Sequence, residues 1–198
     1  EGVDGNGNLY WWNDANWSQV NIPRQAHGES KPSADCGDYY VEVKPASEGA
    51  KALCQVGNAD MAGLIKGGVT YEYSYYAKLA NGTGTVKMNV TGASSDWSSQ
   101  SYATVTPDKE VTLTADGWTK VTGTFVLPDS KDQVQLKFEG SDGLTYCLDD
   151  VRVAEVVEEE PEETPDRVVE ENVISTYNTS FEGVDGNGNL YWWNDANW

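Results

Sequence analysis

The chain has one histidine, two methionines and three cysteines in 198 residues, and each scarcity closes a route. His27 lies in a polar segment with no nucleophile motif around it. No phosphate-cradling glycine loop or paired metal-ligand motif is present either, so catalysis is not expected. The cysteines, Cys36, Cys54 and Cys147, are odd in number and lack close metal-ligand spacing. That leaves buried thiols, or one disulfide plus one free thiol. Basic residues are also few, 13 against 32 acidic ones, and a net charge of −19 repels phosphate backbones and anionic lipid. Neither nucleic acid nor membrane insertion is expected. No apolar run reaches 18 residues and no basic-then-apolar leader occurs, so any targeting signal is expected outside this stretch.

What the chain does contain is a repeat. Residues 1–17, EGVDGNGNLYWWNDANW, return letter for letter as residues 182–198, and the second copy is preceded by NVISTYNTSF (172–181). The period of 181 residues fits one whole domain per repeat rather than a solenoid unit. A natural unit then starts near Asn172, and the chain reads as a phase-shifted slice of a tandem array.

The repeated stretch opens on a turn-rich loop. Asp4, Asn6 and Asn8 have the odd-position spacing of an EF-hand, but Leu9 and Ala15 stand where that loop needs glycine and a bidentate glutamate, so an EF-hand is excluded. Tyr10, Trp11, Trp12 and Trp17 follow. Neighbouring residues of an extended segment point oppositely, so Trp11 and Trp12 cannot both be core, while Trp17 is expected to seal the core.

From Trp17 to Val153 the sequence is a series of short Val-, Thr- and Tyr-rich segments divided by turn clusters such as NGTG, TPDK and GSDG, with no sustained helical period. About ten short antiparallel strands of this kind predict an all-β jelly-roll sandwich. Alternation sorts the faces: Val86, Met88, Val90, Val134, Leu136 and Phe138 point inward, with Lys87, Asn89, Gln133, Gln135 and Lys137 outward. In VTYEYSYYAKL, Tyr71, Tyr73 and Tyr75 share one face, and Glu72, Ser74, Tyr76 and Lys78 the other. Residues 154–171 carry nine acids against one arginine, with two prolines, and read as an extended linker. The expected organisation is a sandwich over 1–153 lacking its first strand, the linker, and the first strand and loop of the next unit over 172–198.

Five segments in order, NVISTYNTSFEG with its Trp-rich sequel, ADCGDYYVEV, GGVTYEYSYYAKLANGTGTVKMNV, ADGWTKVTGTFVLP and LTYCLDDVRV, resemble the carbohydrate-binding modules of the family 4, 9, 16 and 22 type. The resemblance implies a galactose-binding-like jelly roll, non-catalytic, from a secreted or surface bacterial protein that binds β-glucan or xylan-type polysaccharide. It also implies a structural calcium held by Glu182 (Glu1 in the truncated copy) and Asp149, with carbonyls near Gly37 and Asp38. The family pattern puts Tyr71, Tyr73 and Tyr75 in the core and Tyr76 on the ligand sheet, with Trp118 packing structurally.

Sugar recognition needs flat rings against pyranose faces and polar groups for the hydroxyls. Trp11, Trp12, Tyr76, Trp97 and Tyr102 supply rings, and Glu72, Lys78, Gln133 and Gln135 supply polar groups. The competing expectation is a structural repeat of a surface fibre, in which 172–181 completes a module in cis or in trans, head to tail with a neighbouring copy.

Overall fold

The computed structural model describes residues 8–9, 22–28, 30–157 and 168–169. The elements are β1 (Asn8–Leu9), β2 (Ile22–Ala26), β3 (Tyr39–Val43), β4 (Lys51–Asn58), α1 (Ala59–Leu64), β5 (Thr70–Leu79), β6 (Thr83–Gly84) and β7 (Val86–Ala93). They continue with β8 (Gln100–Tyr102), β9 (Thr104–Pro107), β10 (Leu113–Thr114), β11 (Thr119–Val126), β12 (Gln133–Asp142), β13 (Tyr146–Val157) and β14 (Val168–Val169).

Strict alternation makes these segments strands, and it also dictates two layers, because each strand has one apolar row to bury. The larger sheet runs β1-β2-β3-β13-β5-β11-β9, with β14 added on β13; the smaller runs β4-β12-β7-β8. Tyr71, Tyr73, Tyr75 and Phe125 from the larger sheet meet Val90, Val134, Leu136 and Phe138 from the smaller, all buried. Tyr75 packs edge-on against Phe138 across the layers at 5.2 Å. A buried phenol needs a partner, and three find one. Tyr75 donates to the Val86 carbonyl (2.8 Å), Tyr146 to the Phe138 carbonyl (3.1 Å) and Tyr71 to the Leu64 carbonyl (3.1 Å). Two of these bonds tie one sheet to the other.

The all-β sandwich expected from the sequence is the fold, with differences in detail. α1 interrupts it, and Met61 is buried at the end of the core. β13 runs to Val157, past the expected start of the linker, and Val156 and Val157 pair with Val169 and Val168. Pairing explains the extension, since Ala154 and Glu155 continue the ladder with Glu72 and Tyr71 of β5. All three cysteines are buried thiols. Burial pushes Cys54 up to about 12 and Cys147 up to about 11, which leaves both inert at neutral pH.

Candidate carbohydrate-binding site

The outward face of the smaller sheet is polar, and its register can be read row by row. Gln55 (β4), Lys137 (β12) and Asn89 (β7) lie abreast; the next row is Gly57, Gln135, Thr91 and Tyr102 (β8). Leu53, Glu139 and Lys87 form a third, and Gln133 sits beside Ala93 and Gln100. Strands spaced by about 4.8 Å make a four-strand row about 14 Å wide. Gly57 has no substitute there: at φ +148° a Cβ would lie 2.2 Å from the Val134 carbonyl oxygen. The second row therefore stays open beside Gln135.

Glu139 is the fixed point of this face. Asn89 Nδ2 donates to Oε2 at 2.8 Å and Lys137 Nζ lies 3.2 Å from Oε1, so the carboxylate is oriented and still a quarter exposed. Gln133 and Gln135, half-buried beside it, make no hydrogen bond among the described residues. Their amides are open donors and acceptors. Tyr102 is 67% exposed, its hydroxyl donating to Gln100 Oε1 at 2.9 Å.

Trp97 stands at the rim, in the turn between β7 and β8, 37% exposed and at φ 60°, a backbone conformation that disfavours a bulky side chain. The turn is over-determined by Asp96. Oδ1 accepts from the hydroxyls of Ser94 and Ser98, each at 2.7 Å, and from the Ser98 amide at 3.0 Å. These bonds pull its carboxyl down to about 2. Aspartate and serines thus hold a strained indole toward solvent.

The predicted set is divided by the fold. Gln133, Gln135, Tyr102 and Trp97 belong to the smaller sheet and its rim, but Glu72, Tyr76 and Lys78 lie on the outward face of β5, in the larger sheet. Both rows point outward, and with the core between them they face opposite ways, so a single platform containing both is ruled out. Lys78 is engaged where it stands, its Nζ 4.8 Å from the Trp118 ring centroid and 5.5 Å from that of Tyr40. Trp11 and Trp12 lie outside the described residues, as do Glu1, Glu182 and 172–181. Glu139, Asn89 and Lys137 complete the site, and the outward alternation of β7 and β12 already contained them; none carries a ring, the feature that marks a sugar platform in a sequence.

Both carboxylate oxygens of Asp149 are engaged within the protein. His27 Nε2 lies 2.9 Å from Oδ2 and the Asp150 amide donates to Oδ1 at 2.7 Å, while the Asp38 carbonyl accepts from the His27 amide. His27 Nδ1 faces the Ser30 carbonyl at 3.2 Å. The ring thus bridges a backbone carbonyl and the buried Asp149 carboxylate. Glu1 and Glu182, the other expected calcium ligands, lie outside the described residues, and among the described residues no group of three or more His, Cys, Asp or Glu is placed to hold a metal.

The geometry agrees with what the chain is similar to. The family model described as carbohydrate binding domain, CBM_4_9, matches residues 12–144. No curated protein matches. Among solved structures, the tandem CBM22-1–CBM22-2 domain of Paenibacillus barcinonensis Xyn10C superposes with a TM-score of 0.57 at 18% identity, over 81% of this chain and 44% of that one. The CBM22-1–GH10 modules of Clostridium thermocellum xylanase 10B, complexed with xylohexaose, give 0.53 at 20% identity over 74% of this chain. This chain spans about a quarter of that structure, 26%. The C-terminal family 22 carbohydrate-binding module of the same xylanase gives 0.52 at 16% identity, over 77% of this chain and 97% of that one. At these identities the likeness is one of fold.

Proposed function

Since the chain belongs to the CBM_4_9 carbohydrate binding domain family, we propose that it binds a β-linked polysaccharide of the xylan type, without cleaving it, on the outward face of the smaller sheet. The observation that carries this reading is the pairing of a fixed carboxylate with unsatisfied amides: Glu139, held by Asn89 and Lys137, next to Gln133 and Gln135, with Tyr102 and Trp97 at the rim. Sugar hydroxyls both donate and accept, so they suit this mixture, and the exposed rings offer apolar surface to pyranose faces. The choice of xylan over β-glucan is supported by the structural neighbours, which are xylanase modules, one of them complexed with xylohexaose. Accessible polysaccharide of this kind implies an extracellular setting.

Affinity electrophoresis through gels containing xylan, mixed-linkage β-glucan, xyloglucan or mannan tests this. Retardation by xylan that is abolished in Glu139→Ala is the expected result; equal mobility in all gels would overturn it.

The letter-perfect repeat favours a second reading, compatible with the first, in which such modules stand in a tandem array and 172–181 completes a module of the same or a neighbouring copy. The β13–β14 pairing supports it, because chain downstream of the sandwich adds to the last strand. A unit beginning at Asn172 should be monomeric by sedimentation if completion is in cis, and concatenated if a neighbour supplies the strand.

A further inference from the structure

Of the four buried tyrosines between the sheets, one hydroxyl is left over. Tyr73 is 3% exposed, and its phenol makes no hydrogen bond among the described residues, unlike Tyr71, Tyr75 and Tyr146. Burial raises its pKa above the usual value, with the Asp108 carboxylate adding to the effect, so the hydroxyl stays protonated and able to donate. It lies against Gly123, where a Cβ would come within 2.6 Å of it and 2.4 Å of the Thr106 carbonyl oxygen. Glycine is what makes room for it.

The hydroxyl belongs to a groove of about 390 Å³ between the layers, floored by Tyr73, Tyr75 and Val121 and walled by β7 and the segment after β9. The groove exists because β8 pairs with β7 only over Thr91–Ala93, so the β7 edge from Val86 to Met88 has no strand beside it. Lys87 and Asn89 line the groove and also belong to the polar face, so the two are continuous over that edge. Lys109 lines the other side. Neither Lys87 nor Lys109 has an ion-pair partner among the described residues; Glu110 is the one carboxylate in the lining. With Asp108 close enough to raise the Tyr73 pKa, the charges balance, but the two ammonium groups are without ion-pair partners among the described residues in a chain of net charge −19.

We propose that this edge groove is a second sugar subsite, one that takes an acidic substituent, a uronic acid, of a polysaccharide whose main chain lies on the sheet face. The sugar ring packs on the apolar floor, its hydroxyls meet the Tyr73 phenol and the Asn89 amide, and its carboxylate sits between Lys87 and Lys109. Such a subsite deepens the xylan-type reading and rests on it for the position of the main chain.

The test compares binding of the full chain to xylan bearing glucuronic acid side groups with binding to the same xylan after carboxyl reduction, by isothermal titration. Binding about fivefold weaker to the reduced polymer is expected, the worth of a partly exposed ion pair. Lys109→Met should erase that difference and leave affinity for the reduced polymer unchanged. Tyr73→Phe, which removes a hydroxyl no protein group uses, should weaken binding of the acidic polymer with no loss of thermal stability. Equal affinity for the two polymers, or an equal loss on both in Lys109→Met, would overturn the subsite. If neither polymer binds, the reading of the sheet face fails, and the groove is then decided by free glucuronate. Shifts of the Met88 and Gly123 amide resonances on titration would uphold it, and their absence would dismiss it.

Discussion

The sandwich has two outward faces, both bearing rings and charges, and they are in opposite states. On the larger sheet the charged groups and the rings engage one another: His27 is bonded at both nitrogens, its ring 5.0 Å from Tyr40 and 5.3 Å from Trp118, and Lys78 lies over both of those aromatics, although the Trp118 indole N–H is buried without a hydrogen-bond partner among the described residues. On the smaller sheet one carboxylate is fixed, and amides and rings around it are unspent. A polar side chain with all its partners supplied by the protein adds stability, whereas one left open, yet oriented, is available to a ligand. Ring content alone does not separate the two faces; what the charged groups beside the rings are engaged with does.

The largest effect should come from the engaged face. His27→Ala removes the side chain that bonds Oδ2 of the fully buried Asp149, a loss of about 2 kcal/mol. Chemical denaturation should register that loss, while polysaccharide affinity, measured where the variant is folded, stays the same. A variant of normal stability would mean that this bond is not what holds this face.

Next in size is the open face. Glu139→Ala should weaken polysaccharide binding about tenfold or more, as expected for a charged hydrogen-bonding group, and Tyr102→Ala about as much if its ring is an anchor. Both should unfold within about 1 kcal/mol of the parent, because Tyr102 is exposed and Glu139 is not buried. A stability loss matching the affinity loss would erase the contrast between the faces.

Tyr76→Ala sharpens the comparison from the other side. Its ring lies on the larger sheet with Lys120 Nζ 5.8 Å from the centroid. Retention on polysaccharide gels should not change, and a large loss would move the site to that sheet.

The smallest effect concerns acid. Asp96 ionises at about 2 in the folded protein against 3.8 unperturbed, so its hold on the turn is complete above pH 3.8 and is lost as pH falls through about 2. Fluorescence of Trp97, isolated by replacing the other tryptophans where the fold tolerates it, should be constant from neutrality to about pH 3. A change already complete at pH 4 would mean that the Asp96 bonds do not position the indole.

The strands and their inward rows were legible in the sequence because a period of two is a local property. Tyr71, Tyr73, Tyr75, Val134, Leu136 and Phe138 fall inward as alternation requires. Less legible was the site. Rings stand out in a sequence and attracted the search to Tyr76, while Asn89 and Glu139 look like any polar residues until register sets them side by side. Nor could the sequence tell that His27, 122 positions away, reaches Asp149.

By itself the sequence determined the all-β sandwich, the face on which each residue of a strand lies, the acidic character and the recurrence of residues 1–17 as 182–198. Only the tertiary structure decided which outward rows share a surface. Tyr76 and Gln135 both alternate outward, but β5 pairs with β11 and β13 while β12 pairs with β4 and β7. Alternation is fixed by the geometry of consecutive peptide units. Sheet membership is fixed by hydrogen bonds between strands distant in the chain, and those separate two equally polar rows to opposite sides of one core.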